Sequence, residues 1–163
     1  MCAASNVHVQ LDLACRIAEA LIESSSVAAL NLVEELEPPT AVFEVGNPTP
    51  RLANAAWRAL CGAADPFGAN VDRAAECGAS IHIAELALDV GGRPVYCAAT
   101  LRPSHDALGA TKHVIAACAD ITDEVIARQL AVDPTALVWS GSLGRDPDYF
   151  NRRYAAERLS SYD

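Results

Sequence analysis

Between Leu11 and Glu23 the charged side chains Asp12, Arg16, Glu19 and Glu23 recur at spacings of four, three and four, which places them on one stripe of a helix. Most of the remaining positions are apolar, among them Leu11, Leu13, Cys15, Ile17, Leu21 and Ile22. An apolar face that wide needs either two packing partners or a second copy of the helix. Leu11, Ile17 and Leu21 are the residues expected at such a dimer contact. Ser24 to Ser26 break the pattern and offer a cap. A second helix then runs from Val27 to Glu37, with Asn31, Glu34 and Glu35 on one face, until Pro38 and Pro39 stop it.

The run Ala41 to Val45 followed by Gly46, Asn47, Pro48 and Pro50 predicts a hairpin returning through Arg51 to Asn54. A short helix follows from Ala55 to Leu60, ended by Gly62. Two further helix starts are signalled by Asp65 before Pro66 and by Asn70 before Val71, with Gly78 as the stop. The pattern then changes to three strands, Ile81 to Val90, Val95 to Arg102 and Lys112 to Ile121. Gly91 and Gly92 turn the first into the second, so antiparallel pairing is expected. In the first strand the apolar alternation slips by one residue near Ala84, which predicts a bulge. In the second, Val95, Cys97, Ala99 and Leu101 share one face and Tyr96, Ala98, Thr100 and Arg102 the other, and the pattern alone does not say which points inward. Thr122 reads as a helix cap, with Asp123 and Glu124 suited to a first turn and Val125 to Ala131 continuing the helix.

The chain has 163 residues, 21 acidic against 12 basic side chains and a formal net charge of −9. That excess repels phosphate backbones and anionic lipid, so neither nucleic acid nor a membrane surface is an expected partner. No apolar run approaches the roughly 18 to 20 residues that span a bilayer, and the first residues lack a basic leader, so a cytoplasmic chain is expected. The six cysteines show no metal-knuckle or redox spacing and read as reduced, small apolar residues.

Four local features together resemble the PAS family. Asn54-Ala-Ala-Trp57-Arg-Ala-Leu60-Cys-Gly62 is similar to the family's Asn, aromatic and Gly around the second strand and first helix. The Gly91-Gly92 turn, the polar loop after Pro103 and the ending Asp120-Ile121-Thr122-Asp123-Glu124 agree in order. The resemblance implies an α+β PAS fold, a five-stranded antiparallel sheet with short helices on one face and added N-terminal helices. It divides the chain into N-terminal helices (1–38), a PAS domain (39–122), an exit helix and linker (123–134) and a remainder (135–163). Within that remainder Asn151-Arg-Arg-Tyr154 repeats Asn54-Ala-Ala-Trp57, and Val138-Trp139 precedes it, so a second PAS domain is expected to begin there. The chain then reads as the N-terminal part of a longer sensor or as a truncated gene product.

Of the histidines, His82 and His113 fall in strands and His105 in a polar loop, so none suits a phosphoacceptor. The resemblance places a heme histidine in the helix before the third strand, where Val71 to Gly78 has none, leaving His82 as the nearest. Flavin-binding members carry an Asn-Cys-Arg-Phe-Leu run that Glu76-Cys77-Gly78-Ala79 does not match, so heme and flavin are not expected. No phosphate loop, nucleophile elbow or paired-histidine metal motif occurs, and no enzymatic activity is expected. Alanines and cysteines instead crowd the second and third long strands, leaving room either for close helix packing or for a small apolar ligand. The resemblance places a pocket wall among Ala74, Cys77, Ile83, Leu86, Tyr96, Ala98, Ala116 and Cys118. Asp120, Ile121 and Thr122 would couple it to the exit helix. The expected function is a sensory and protein-interaction input domain of a histidine-kinase-like signalling protein, homodimeric through its first helices and acting on downstream domains. A ligand-free dimerisation module is the alternative.

Overall fold

A computed structural model describes residues 3–24, 26–62 and 66–132, and the backbone of 139–140 and 149–150. The chain divides into two units, 1–121 and 122–163. The first opens with helix α1 (Ala3–Glu23) and helix α2 (Val27–Glu34). Strands β1 (Thr40–Glu44) and β2 (Leu52–Ala53) follow, then helices α3 (Ala55–Cys61) and α4 (Gly68–Cys77). Three long strands complete it: β3 (Ile81–Val90), β4 (Arg93–His105) and β5 (Thr111–Asp120). All five strands form one antiparallel sheet in the order β2-β1-β5-β4-β3.

Local chemistry explains most of the boundaries. Ser26 caps α2 by accepting the Ala29 N–H at 3.1 Å. The helix ends at Glu34, three residues short of the expected Glu37, in a tightened last turn where the N–H groups of Glu35 and Leu36 donate to the carbonyls of Leu32 and Val33 at 3.2 and 3.3 Å. Gly78 takes the left-handed conformation (φ 61°) and donates its N–H to the Ala74 carbonyl, which stops α4. That helix starts at Gly68 rather than at Asn70, and the other expected start, Asp65, lies outside the described residues. The bulge falls where the alternation slipped, between Ile83 and Leu86. It keeps Ile81, Ile83, Leu86 and Val90 packed toward one core.

The sheet is covered on both faces. On the inner face Phe43, Val114, Ala116, Cys118, Cys97, Ala99 and Leu101 meet Trp57, Phe67, Val71 and Ala74. On the outer face Leu11, Ala14, Cys15 and Ala18 of α1 pack on Val42, Ile115 and Ala117. Helix α1 begins eight residues before the expected Leu11, and Val7 packs against this outer core. Its charges do not simply face water. Arg102 on β4 reaches Glu19 at 3.1 Å and Asp12 at 3.4 Å, so two members of the charged stripe anchor the helix to the sheet. Leu11 is 2% exposed and faces the sheet, which removes it from the expected dimer contact.

In the second unit, helix α5 (Thr122–Val132) carries Asp123 and Glu124 in its first turn. Thr122 is the first helical residue, not the one before it. Strands β6 (Trp139–Ser140) and β7 (Tyr149–Phe150) pair antiparallel, Trp139 opposite Phe150. The remaining features read as the start of a second domain, Asn151 to Tyr154 among them, lie outside the described residues.

Candidate functional site

The inner face has two unlike ends. At one, Phe43, Trp57 and Phe67 form an aromatic plug, with ring centroids 6.0 Å apart for Phe43 and Trp57 and 5.3 Å for Trp57 and Phe67. All three are 3% exposed or less. At the other, the strands carry small side chains, and the inward residues of the edge strand β3 are only partly covered. Ile83 stands opposite Ala99, and Ala99 opposite Cys118, so these three form one cross-strand row. Leu86 stands opposite Cys97 in the next row. Ala74 of α4 is buried in the same cluster, with Leu60 and Cys61 of α3 packed against it. The result is an apolar face with a floor of alanines and thiols and an incompletely covered rim of Ile83 and Leu86.

Ala74, Ile83, Leu86, Ala116 and Cys118 therefore come together in one core. Three other expected wall residues do not join them. Tyr96 and Ala98 alternate with Cys97 and Ala99, so their side chains stand on the outer face with Thr100 and Arg102. Cys77 is exposed and its thiol donates to the carbonyls of Ala74 and Ala79, at 3.8 and 3.7 Å. Cys97, Ala99, Leu101, Leu60 and Cys61 take part instead. Nothing local in the sequence marks the strand residues among them, because the face that carries Ala98 and Thr100 is covered as fully as theirs.

The two buried thiols of the floor are held in the neutral form. Burial pushes the Cys97 thiol up to about 12. Cys118 is pushed up as well, first by its hydrogen bond with the Cys61 thiol and then by burial. Apolar walls with neutral thiols suit a small apolar ligand. Among the described residues no group of three or more His, Cys, Asp and Glu side chains is arranged to hold a metal ion.

Asn54 fixes the site's frame. Its Oδ1 accepts the N–H of Thr40 at 3.0 Å and of Trp57 at 2.8 Å, and its Nδ2 donates to the carbonyls of Leu36 and Pro38, both at 2.9 Å. One fully satisfied side chain thus joins the chain after α2, strand β1 and the start of α3. Arg58 adds a two-point ion pair with Glu34, at 3.0 and 3.1 Å, and donates to the Ala53 carbonyl. At the far end of the sheet Asp120 closes β5 opposite Cys97, and the Ile121 N–H donates to the Tyr96 carbonyl at 2.8 Å. Asp120, Ile121 and Thr122 therefore span the passage from sheet to α5.

A family model described as the PAS fold matches residues 45–126. The chain belongs to the PAS family. Comparison with curated proteins finds no match. Among solved structures, VqmA bound to DPO is 18% identical, with a TM-score of 0.48, covering 63% of this chain and 61% of that one. The PAS domain of Bordetella pertussis BvgS is 18% identical over 64% of this chain and 94% of its own, with a TM-score of 0.44. A sensory box sensor histidine kinase from Vibrio cholerae is 13% identical over 61% and 91%, with a TM-score of 0.40. The chain thus spans about three fifths of the length of the VqmA chain it matches.

Proposed function

We propose that this PAS chain is the sensory and protein-interaction input of a cytoplasmic signalling protein, acting by binding and without chemistry of its own. A small apolar ligand is taken up on the inner face beside β3, and its occupancy is relayed through Asp120, Ile121 and Thr122 to α5 and on to domains beyond it. The observation that carries this reading is the partly covered apolar rim of Ile83 and Leu86 over a floor of Ala99, Cys97 and Cys118. A relay requires that the ligand prefer one of two arrangements of the exit helix. The parent is read as histidine-kinase-like, with a second PAS domain beginning after residue 134.

Helix α1 supplies the proposed homodimer contact. Val9, Leu13 and Ile17 lie four residues apart and are 65%, 57% and 41% exposed, forming an apolar stripe that faces away from the sheet, with half-buried Leu21 beside it. The same stripe favours the second reading, a ligand-free dimerisation module. Native mass spectrometry of the purified chain, with an absorbance spectrum from the same sample, separates the two. A dimer that releases a small molecule on collisional activation supports the sensor. A bare dimer that no apolar probe stabilises supports the module, and a monomer at all concentrations overturns the dimer in both.

A further inference from the structure

On the outer face two histidines converge on one hydroxyl. The Nδ1 atoms of His8, on α1, and His82, on the edge strand β3, lie 3.3 and 3.1 Å from Thr100 Oγ1 on β4. The two rings meet edge to face, with centroids 5.1 Å apart and planes at 64°. Thr100 is fully buried and stands opposite His82 in the register, whereas His8 is half-buried and His82 exposed. Among the described residues no third His, Cys, Asp or Glu joins them to make a metal-binding group, so protons are what the pair is built to exchange.

A threonine hydroxyl has one proton to give and lone pairs to receive. Among the described residues its proton meets no other acceptor, so every group is satisfied only when the two neutral rings are complementary tautomers. One ring donates its Nδ1–H to Oγ1, and the hydroxyl donates to the bare Nδ1 of the other. With exposed His82 as the donor, half-buried His8 is the acceptor. A first proton then goes to the Nε2 of the donor ring and breaks nothing. A second has to take the Nδ1 of His8, which breaks the bond from the hydroxyl and sets two imidazolium rings 5.1 Å apart. The charges around the pair do not offset this. On α1, Asp12 stands one turn along but is already paired with Arg16 and Arg102, at 2.8 and 3.4 Å. On β4, Arg102 adds positive charge two positions from Thr100, although Glu19 pairs with it. On β3, Glu85 lies beyond the bulge, and β5 presents Ala117 opposite Thr100. Burial, and then His82, accordingly hold His8 below its ordinary value.

We infer that His8, Thr100 and His82 form a proton-operated latch, which ties the first turns of α1 to the sheet while His8 is neutral and releases them when His8 is protonated. His8 binds its proton more weakly folded than unfolded, so the latch is closed above the unfolded value of about 6.5 and opens as pH falls below it. Arg102 still holds Asp12 and Glu19, so the opening stops near Asp12. Val9, at the head of the outward apolar stripe, moves with the released turns, and acidification thereby weakens the homodimer contact. That output rests on the proposed dimer, and the latch itself does not.

Amide hydrogen exchange of the full chain from about pH 8 to about pH 5, corrected for the intrinsic pH dependence of exchange, reads the latch. The first four N–H groups of a helix have no partner within it, so the amides of Val7 to Leu11 are the reporters. Their protection should fall with pH, by at most about tenfold per pH unit for a single proton, while Arg16 to Glu23 and the sheet keep theirs. His8→Gln should remove this dependence on pH. His82→Gln, at an exposed position that does not endanger the fold, should remove it as well, because protonated His8 can then donate to a hydroxyl that no second ring occupies. Imidazole nitrogen shifts at about pH 8 should show His82 carrying its proton on Nδ1 and His8 on Nε2. Unchanged protection at Val7 to Leu11, a loss spread evenly over α1 and the sheet, a pH dependence that survives in both variants, or two rings in the same tautomer would each overturn the inference. Sedimentation equilibrium over the same range reads the output. If Val7 to Leu11 open while the dimer is unaffected or absent, the latch stands and its link to the dimer falls.

Discussion

Replacing Asn54 should be among the most damaging single changes in the chain. The side chain is fully buried and uses all of its hydrogen-bonding capacity. In Asn54→Ala the N–H groups of Thr40 and Trp57 and the carbonyl of Leu36 lose this partner, while the Pro38 carbonyl still accepts from the Thr40 hydroxyl at 2.8 Å. At about 1 kcal/mol or slightly more for each of the three, the loss is about 3–4 kcal/mol. Against the ~5–15 kcal/mol of an ordinary domain this is a large share, and it corresponds to a fall in Tm of roughly 10–20 °C. Asn54→Asp keeps both accepted bonds but sets a carboxylate against two carbonyl oxygens. Its folded pKa should lie above the unfolded value of about 3.9, so its stability relative to wild type should rise as pH falls toward that value. Urea unfolding followed by far-UV circular dichroism measures both effects, with the slope m unchanged. Asn54→Ala within about 1 kcal/mol of wild type would refute the role given to this side chain.

Three further outcomes follow from the outer face. His8, lowered by burial and then by neighbouring His82, and His113, lowered by burial and then by Lys112, bind protons more weakly folded than unfolded. Stability should therefore be flat above the unfolded value of about 6.5 and fall as pH drops below it, and His8→Gln with His113→Asn should flatten that decline in a Tm series from about pH 8 to 5. Arg102→Met should cost about 1 kcal/mol by freeing Glu19 and leaving Asp12 to Arg16 alone, and hydrogen exchange should quicken in α1 before the sheet. Leu13→Lys combined with Ile17→Lys should keep the folded far-UV circular dichroism spectrum, remove the concentration dependence of the Tm and convert dimer to monomer in sedimentation equilibrium. A dimer that persists would place the contact elsewhere.

The three long strands and the turn between β3 and β4 were legible in the sequence because period-two patterning and glycine turns are local, although β4 runs on to His105, past the expected Arg102. The bulge between Ile83 and Leu86 and the stop at Gly78 are of this kind. The orientation of β4 was not, for a physical reason: both faces of the sheet are covered. Ala98 and Thr100 are as well buried as Ala99, so the contrast in polarity that identifies an inner face is weak, and Tyr96 and Ala98 were placed on the wrong side. Helix α1 misled in a related way. Asp12 and Glu19 look like a solvent stripe, yet their partner Arg102 lies about 90 and 83 residues away on the sheet. Leu11 accordingly turns inward, while Val9, Leu13 and Ile17 remain outside. The Asn54 motif was recognisable as a family feature, but its four-way clamp depends on carbonyls from a different segment and became visible only in three dimensions.

The central claim is that occupancy of the inner face beside β3 reaches the exit helix. Amide hydrogen exchange of the full chain, with and without a saturating small apolar probe, tests it directly. Protection should change in β3 and α4, where the probe sits, and also across residues 122–132. A change confined to β3 and α4 would contradict the relay, and no change anywhere would contradict the binding site itself.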